Sequence, residues 1–226
     1  MRVPAGSTEP VVTSWQEVDV ATLLRSLGVP RPGRTAVVAV DGRSGAGKSS
    51  LTAQLVAAVP GSGVVATDDV AWNSTMFDWD QELLTHVIEP ARRGEAVRHR
   101  PPGWVARERP GAITVEPQRS VLFVEGVGAS RRSLTVAFDA AVWVQSDADA
   151  AFELGIARDL ASGVNGDRDQ SIAFWHHWAA AEEPFLEQDQ PWARADAVVA
   201  GVPMARRAGS CWVPSPLSGF PSPATA

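Results

Sequence analysis

Along the chain, short unbroken apolar runs alternate with longer stretches whose apolar residues recur every three or four positions. Residues 35–40 are almost wholly apolar and rich in β-branched valine. A run this short, without in-and-out alternation, predicts a strand buried on both faces of a parallel sheet. Residues 121–124 and 140–144 repeat the type, and 63–67 and 197–200 are shorter versions of it. Between them lie helical patterns: 18–27, closed by Gly28 and Pro30; 48–59, ended by Pro60 and Gly61; and 80–93, where Leu83, Leu84, Val87 and Ile88 share one face. Ser146 with Asp149 gives an S-x-x-D start signal for a helix running to about Ala161. A further helix over 169–188 is expected to be kinked or divided at Pro184. Residues 97–117, rich in Arg, Pro and Gly and without a period, read as an insertion carrying a small hairpin. Strands alternating with helices predict a three-layer α/β fold: a parallel sheet with helices on both faces and a ligand site at the strands' carboxyl ends.

Composition narrows this picture. A chain of 226 residues, 45% hydrophobic and 20% charged, suits one soluble domain of moderate size. No apolar run is long enough to span a membrane and no signal pattern opens the chain, so a cytoplasmic location is expected. Cys211 is the single cysteine, which excludes an internal disulfide and argues against a cysteine metal site. A net charge of −6 argues against a nucleic-acid partner, whereas a small anionic ligand needs only a local basic pocket. Lys48 is the only lysine among the 20 basic Lys and Arg residues.

That lysine sits in Gly42-Arg43-Ser44-Gly45-Ala46-Gly47-Lys48-Ser49, a full match to G-x-x-x-x-G-K-[ST] between a strand and a helix. Glycines allow backbone N–H groups to turn inward around phosphate oxygens, and the following helix aims its positive end at the same anion. Gly42, Ser44, Gly45, Ala46, Gly47, Lys48, Ser49 and Ser50 are therefore the expected nucleotide-binding residues, for ATP or another triphosphate. Lys48 is expected to reach the β- and γ-phosphates and Ser49 to ligate Mg²⁺. Glu125 ends the 121–124 strand and Asp68 follows the 63–67 strand, so sheet geometry brings both carboxylates toward the loop as metal or acceptor groups. Asp68 and Asp69 are adjacent and so are expected to point apart, one facing the site and the other supporting a turn. Arg158 and Arg168 flank the glycine-containing break at 163–166 and are candidates to close on a triphosphate. Arg92, Arg93, Arg98, Arg100, Arg107 and Arg109, interrupted by Trp104, form either a ring-stacking pocket or a solvated surface. His176 and His177 point to different helix faces without a third ligand. Trp175, Trp178 and Trp192 read as core anchors, and Glu182 and Glu183 as a solvated helix end.

With these motifs in order, residues 37–201 resemble the uridine kinase-like branch of the P-loop small-molecule kinases. The likeness rests on the phosphate loop, on Thr67-Asp68-Asp69, on Phe77-Asp78, on Val121 to Gly126, and on Arg158-Asp159. It implies that Asp68 is the catalytic base, that Asp78 contacts the acceptor, that Glu125 assists Mg²⁺ and that Arg158 belongs to a lid over 155–170. Val70 and Ala71 replace the family's aromatic pair. Pro102 and Trp104 stand where a Tyr and a Phe would hold a pyrimidine, and Arg107 stands where a His would. Phe77, Asp78, Trp104, Arg107 and Arg168 are thus the expected acceptor-side residues, with Asp68. The expected organisation is an N-terminal segment with a short helix (1–34), a P-loop kinase domain (35–201) with an insertion at about 95–118, and a flexible Pro/Ser-rich tail (202–226). The expected activity is ATP-dependent phosphoryl transfer to a hydroxyl of a nucleoside-like small molecule. A non-nucleoside alcohol (a sugar, vitamin precursor or antibiotic) and a non-catalytic nucleotide-binding regulator are the alternatives. Either a monomer or an oligomer is compatible with the sequence.

Overall fold

The computed structural model describes residues 1–204 and 207–215. The chain opens with β1 (Trp15–Asp19) and α1 (Val20–Ser26), then β2 (Ala36–Gly42), the glycine-rich loop and α2 (Lys48–Ala58). Next come β3 (Gly63–Ala66) and the short α3 (Thr67–Ala71). A helical stretch follows as α4 (Asp80–Leu83), a π-helical segment (Leu84–Ile88) and α5 (Glu89–Arg92). The insertion holds β4 (Val97–His99), α6 (Pro102–Ala106) and β5 (Ile113–Val115). The chain continues through β6 (Val121–Glu125), β7 (Ala140–Gln145), α7 (Ala148–Ser162), α8 (Arg168–Asp189), β8 (Ala197–Ala200) and β9 (Ser210–Pro214).

The central sheet is five-stranded in the order β3-β6-β2-β7-β8, and every pairing in it is parallel. All seven residues of β2 are buried, which explains its unbroken apolar run. Ala36, Val38 and Val40 pack with α1 and α2 on one face, while Val37 and Ala39 pack with the 80–92 helix on the other. Each such valine contributes roughly 1.5–3 kcal/mol by leaving water. A third cluster joins Val12, Trp143, Leu186 and Trp192, so the N-terminal segment and α8 close over the β7 edge of the site.

Four local details differ from expectation. The N-cap of α7 is Asp147, not Ser146; its carboxylate accepts from Asp149 N and Ala150 N. α8 runs unbroken past Pro184 and starts from a capping box between Asp167 and Gln170. In the insertion β4 and β5 do pair antiparallel, but a helical turn lies between them. Most informative is β9, which pairs antiparallel with β1 from Trp15↔Pro214 to Asp19↔Ser210. The expectation of a flexible tail from residue 202 is therefore corrected for 210–214; residues 205, 206 and 216–226 lie outside the described residues.

Asp139, at the amino end of β7, is held by Arg34 and accepts from Val37 N at 2.9 Å. Burial acts to raise its pKa, but the Arg34 guanidinium and the Val37 amide overcome this and hold it below the usual 3.8. A lowered carboxyl stabilises the fold above the unfolded value, and this contribution is lost as the pH falls through the folded one. Acid titration followed by thermal melting is thus expected to show a steeper loss of stability below about pH 4 in the parent chain than in Asp139→Asn. Parallel curves would remove Asp139 from that role.

Candidate functional site

The carboxyl ends of β2, β3 and β6 open into a cleft of ≈ 330 Å³. Ser44, Gly45, Lys48 and Ser49 of the glycine-rich loop line one side; Asp68, Glu125 and Gly126 line the floor, and Arg158 and Asp159 of α7 approach from above. Gly47 adopts φ 92° at the start of α2, a left-handed conformation that favours glycine, and lets the loop turn directly into the helix. Gly45 is equally constrained, because a Cβ there would lie 2.2 Å from Ala151 O. The Lys48 ammonium donates to Gly42 O and Arg43 O, both at 2.9 Å, which holds it across the mouth of the loop.

Ser49 Oγ donates to Glu125 Oε1 at 3.1 Å. Burial raises the Glu125 pKa; Lys48 and the Ser49 hydroxyl oppose this, and the nearby Asp68 charge reinforces it. This half-buried carboxylate gains from a cation. Among the described residues no group of three or more His, Cys, Asp or Glu side chains is placed to hold a metal alone. A hydroxyl, one or two carboxylates and an open side fit Mg²⁺, which keeps waters and takes phosphate oxygens as its other ligands.

Asp41, which belongs to none of the sequence motifs, organises the site from behind. It is fully buried at the end of β2 and accepts from Gly42 N (2.7 Å), Gly128 N (2.9 Å), and both Ser130 N and Ser130 Oγ (2.8 Å each). Burial raises its pKa, partly offset by the Ser130 and Gly42 hydrogen bonds and by Lys48. One side chain thus pins the loop after Glu125 to the start of the glycine-rich loop. An acid interrupting an otherwise apolar strand just before Gly42 was the available signal.

Gly126 lets the chain after Glu125 pass closely against Thr67. Its φ is +146°, and a Cβ there would stand 1.8 Å from Thr67 Oγ1. Gly126→Ala is expected to cost about 2–4 kcal/mol through backbone strain and overpacking, read by urea unfolding; a change under about 0.5 kcal/mol would refute the close-approach argument.

The helix α8 contributes more than expected. Glu182, read as part of a solvated helix end, is buried, and its carboxylate accepts from Ser44 N at 2.7 Å. Trp175 and Trp178, read as core anchors, line the cleft with Phe174. Trp175 packs edge-on against Phe152, and Gly155 leaves it room: a Cβ there would meet Trp175 Cζ3 at 2.0 Å. Arg43 turns away from the cleft, bonding Glu9 at 3.0 Å and Glu187 at 3.2 Å.

The other sequence candidates are dispersed. Asp69 pairs with Arg109 at 2.8 Å and does not line the cleft. Trp104 is a buried core residue whose Nε1 donates to Asp69 O at 2.7 Å and whose face is covered by Arg109, 3.7 Å from the ring centre. Arg107 is exposed on the insertion. Phe77 stacks on Phe185 at 4.0 Å, beside the cleft wall residue Trp178 at 5.7 Å. Asp78 lies close enough to Arg131 to act on its charge. Arg131 itself is buried, with its guanidinium 4.2 Å from the Trp79 ring centre and its pKa lowered by burial. Arg158 lines the cleft, held by Asp159 at 2.8 Å, whereas Arg168 lies 3.9 Å from Glu153, outside it. His176 and His177 are exposed, and among the described residues no helix is long and apolar enough to cross a membrane.

No protein-family model matches the chain, and neither does any curated protein sequence. Solved structures do match. A protein provisionally assigned as a fructose transport system kinase from Silicibacter sp. TM1040 aligns with a TM-score of 0.55 at 20% identity, covering 79% of this chain and 96% of its own. The YGR205w protein aligns with a TM-score of 0.52 at 10% identity, covering 80% and 92%. A provisionally assigned uridine kinase from Bacillus stearothermophilus reaches 0.49 at 16% identity, covering 79% and 96%; the fold assignment rests on the first two. The chain has a P-loop kinase-like α/β fold.

Proposed function

We propose that this chain transfers the γ-phosphoryl group of ATP to a hydroxyl of a small molecule. The observation that carries the reading is the convergence of Lys48, Ser49, Asp68, Glu125 and Arg158, from separate elements, on one cleft. Phosphoryl transfer needs little covalent help from a protein; it needs positioning and charge neutralisation. The loop amides and Lys48 hold the β- and γ-phosphates. Ser49 and Glu125 would hold Mg²⁺, which neutralises phosphate charge as it develops. Asp68, exposed in the cleft, accepts a hydrogen bond from the acceptor hydroxyl, aligns it with the γ-phosphorus and takes its proton late in transfer. Arg158 releases Asp159 and closes over the transferring group.

The acceptor side is bounded by Ala71, Trp72, Phe174 and Trp178. These planar faces favour a ring-bearing acceptor, a nucleoside-like molecule among them, over an open-chain alcohol. ADP release with MgATP across nucleosides, sugars and other alcohols tests the reading, alongside Lys48→Ala and Asp68→Asn. Release that depends on an acceptor and disappears in both variants is the expected outcome. ATP binding with no stimulation by any acceptor would replace the kinase with a nucleotide-binding regulator.

A further inference from the structure

The arginines read as one basic stretch separate in the fold. Arg109 stays with the insertion, whereas Arg92 and Arg93 turn to the opposite end of the molecule and meet Arg31, Arg34 and Arg119. These five line a cavity of ≈ 470 Å³ just outside the amino ends of β2 and β6, the end of the sheet remote from the cleft. The carboxylates that answer them are few. Asp139 is shared by Arg34, by Arg31 at 3.5 Å and by Arg92 at 3.7 Å. Glu95 pairs with Arg93 at 2.8 Å, and Glu89 also acts on Arg93. Arg119 has no ion pair among the described residues. Five guanidinium groups thus face three carboxylates, in a protein whose net charge is −6.

A local cationic excess inside a concavity focuses its field, and a solvated surface does not need one. Ser120 also lines this cavity, with its Oγ turned into the protein and without a hydrogen-bond partner. The neighbouring backbone does not compete for a ligand, because Ser120 N donates to Gly61 O and Gln118 N to Gly94 O. The Arg119 guanidinium is left without a carboxylate, and Arg93 hydrogen-bonds only the exposed Glu95; planar forks of this kind bind phosphate oxygens bidentately.

We infer that this cavity is a second anion site, taking a small phosphate-bearing molecule and distinct from the triphosphate cleft. Its size suits a pyrophosphate or a sugar phosphate, and one local cluster of arginines is too small for a nucleic-acid backbone, which needs an extended basic face. The ligand takes the Arg119 guanidinium and competes with the exposed Glu95 for Arg93. Arg119 leads directly into β6, the strand that delivers Glu125, and its carbonyl accepts from Thr35 Oγ1 beside the start of β2.

Calorimetric titration of the full chain with sodium pyrophosphate, without Mg²⁺ and at fixed ionic strength, tests the site. A Lys48→Ala background weakens the phosphate loop. In it, pyrophosphate is expected to bind at one equivalent, and Arg93→Gln and Arg119→Gln, introduced singly and together, are expected to weaken it at least about tenfold. The same two changes in the parent chain should leave MgATP affinity at the cleft unaltered, which also shows that the variants are folded. Absence of pyrophosphate binding in Lys48→Ala, binding indifferent to both glutamines, or equal displacement by chloride would overturn the site.

Discussion

Asp41→Ala is expected to destabilise the fold by about 3–5 kcal/mol, the range for breaking one side of a buried polar network. Three backbone N–H groups, of Gly42, Gly128 and Ser130, would lose their acceptor in a region closed to water. Each buried donor left without a partner costs about 1–3 kcal/mol, less where the loop relaxes outward. Asp41→Asn keeps one acceptor oxygen but turns an amide NH2 toward donors, so a loss of about 1–2 kcal/mol is expected. Burial has raised the carboxyl's pKa, and the alanine variant removes that penalty as well, which is why the estimate stays below the full sum. Urea unfolding of the three proteins measures this. Equal stability for parent and alanine variant would mean that the loop after Glu125 is held by something else. A second consequence separates positioning from folding: the asparagine variant, still folded, should bind MgATP more weakly than the parent.

The largest effect on activity is expected from Asp68→Asn. Asp68 is exposed within the cleft and makes no hydrogen bond in the structure that the fold depends on, so the variant should melt at the parent temperature and bind ATP unchanged. Phosphoryl transfer should fall by about 10²–10⁴-fold, the range for removing a positioned general base. The asparagine oxygen can still orient a hydroxyl but cannot take its proton. A loss confined to KM would instead make Asp68 a binding group.

The parallel sheet was legible because burial on both faces writes an unbroken apolar run, and β2 alternates its valines between two clusters. The glycine-rich loop between β2 and α2 was legible because its signal is local: eight consecutive residues carry the backbone shape, the lysine and the hydroxyl. What stayed hidden is what depends on distant pairing. β9 lies in a Pro/Ser-rich ending and exists only because β1, some two hundred residues earlier, offers it an edge. Glu182 reads as solvent-facing beside Glu183, and only the fall of α8 across the phosphate loop turns one inward and leaves the other exposed. Trp104 carried an acceptor role by alignment with a family pattern, yet the structure commits its indole N–H to Asp69 O and covers its face with Arg109. The aromatic wall comes instead from Trp72 and α8, which no local motif marks.

The fate of the γ-phosphorus separates phosphoryl transfer to an alcohol from hydrolysis. ³¹P NMR of the chain with MgATP and each acceptor alcohol follows it. A phosphate monoester resonance growing in step with ADP, and absent with Asp68→Asn, is the predicted result. γ-Phosphorus appearing only as inorganic phosphate, whatever alcohol is present, would contradict it.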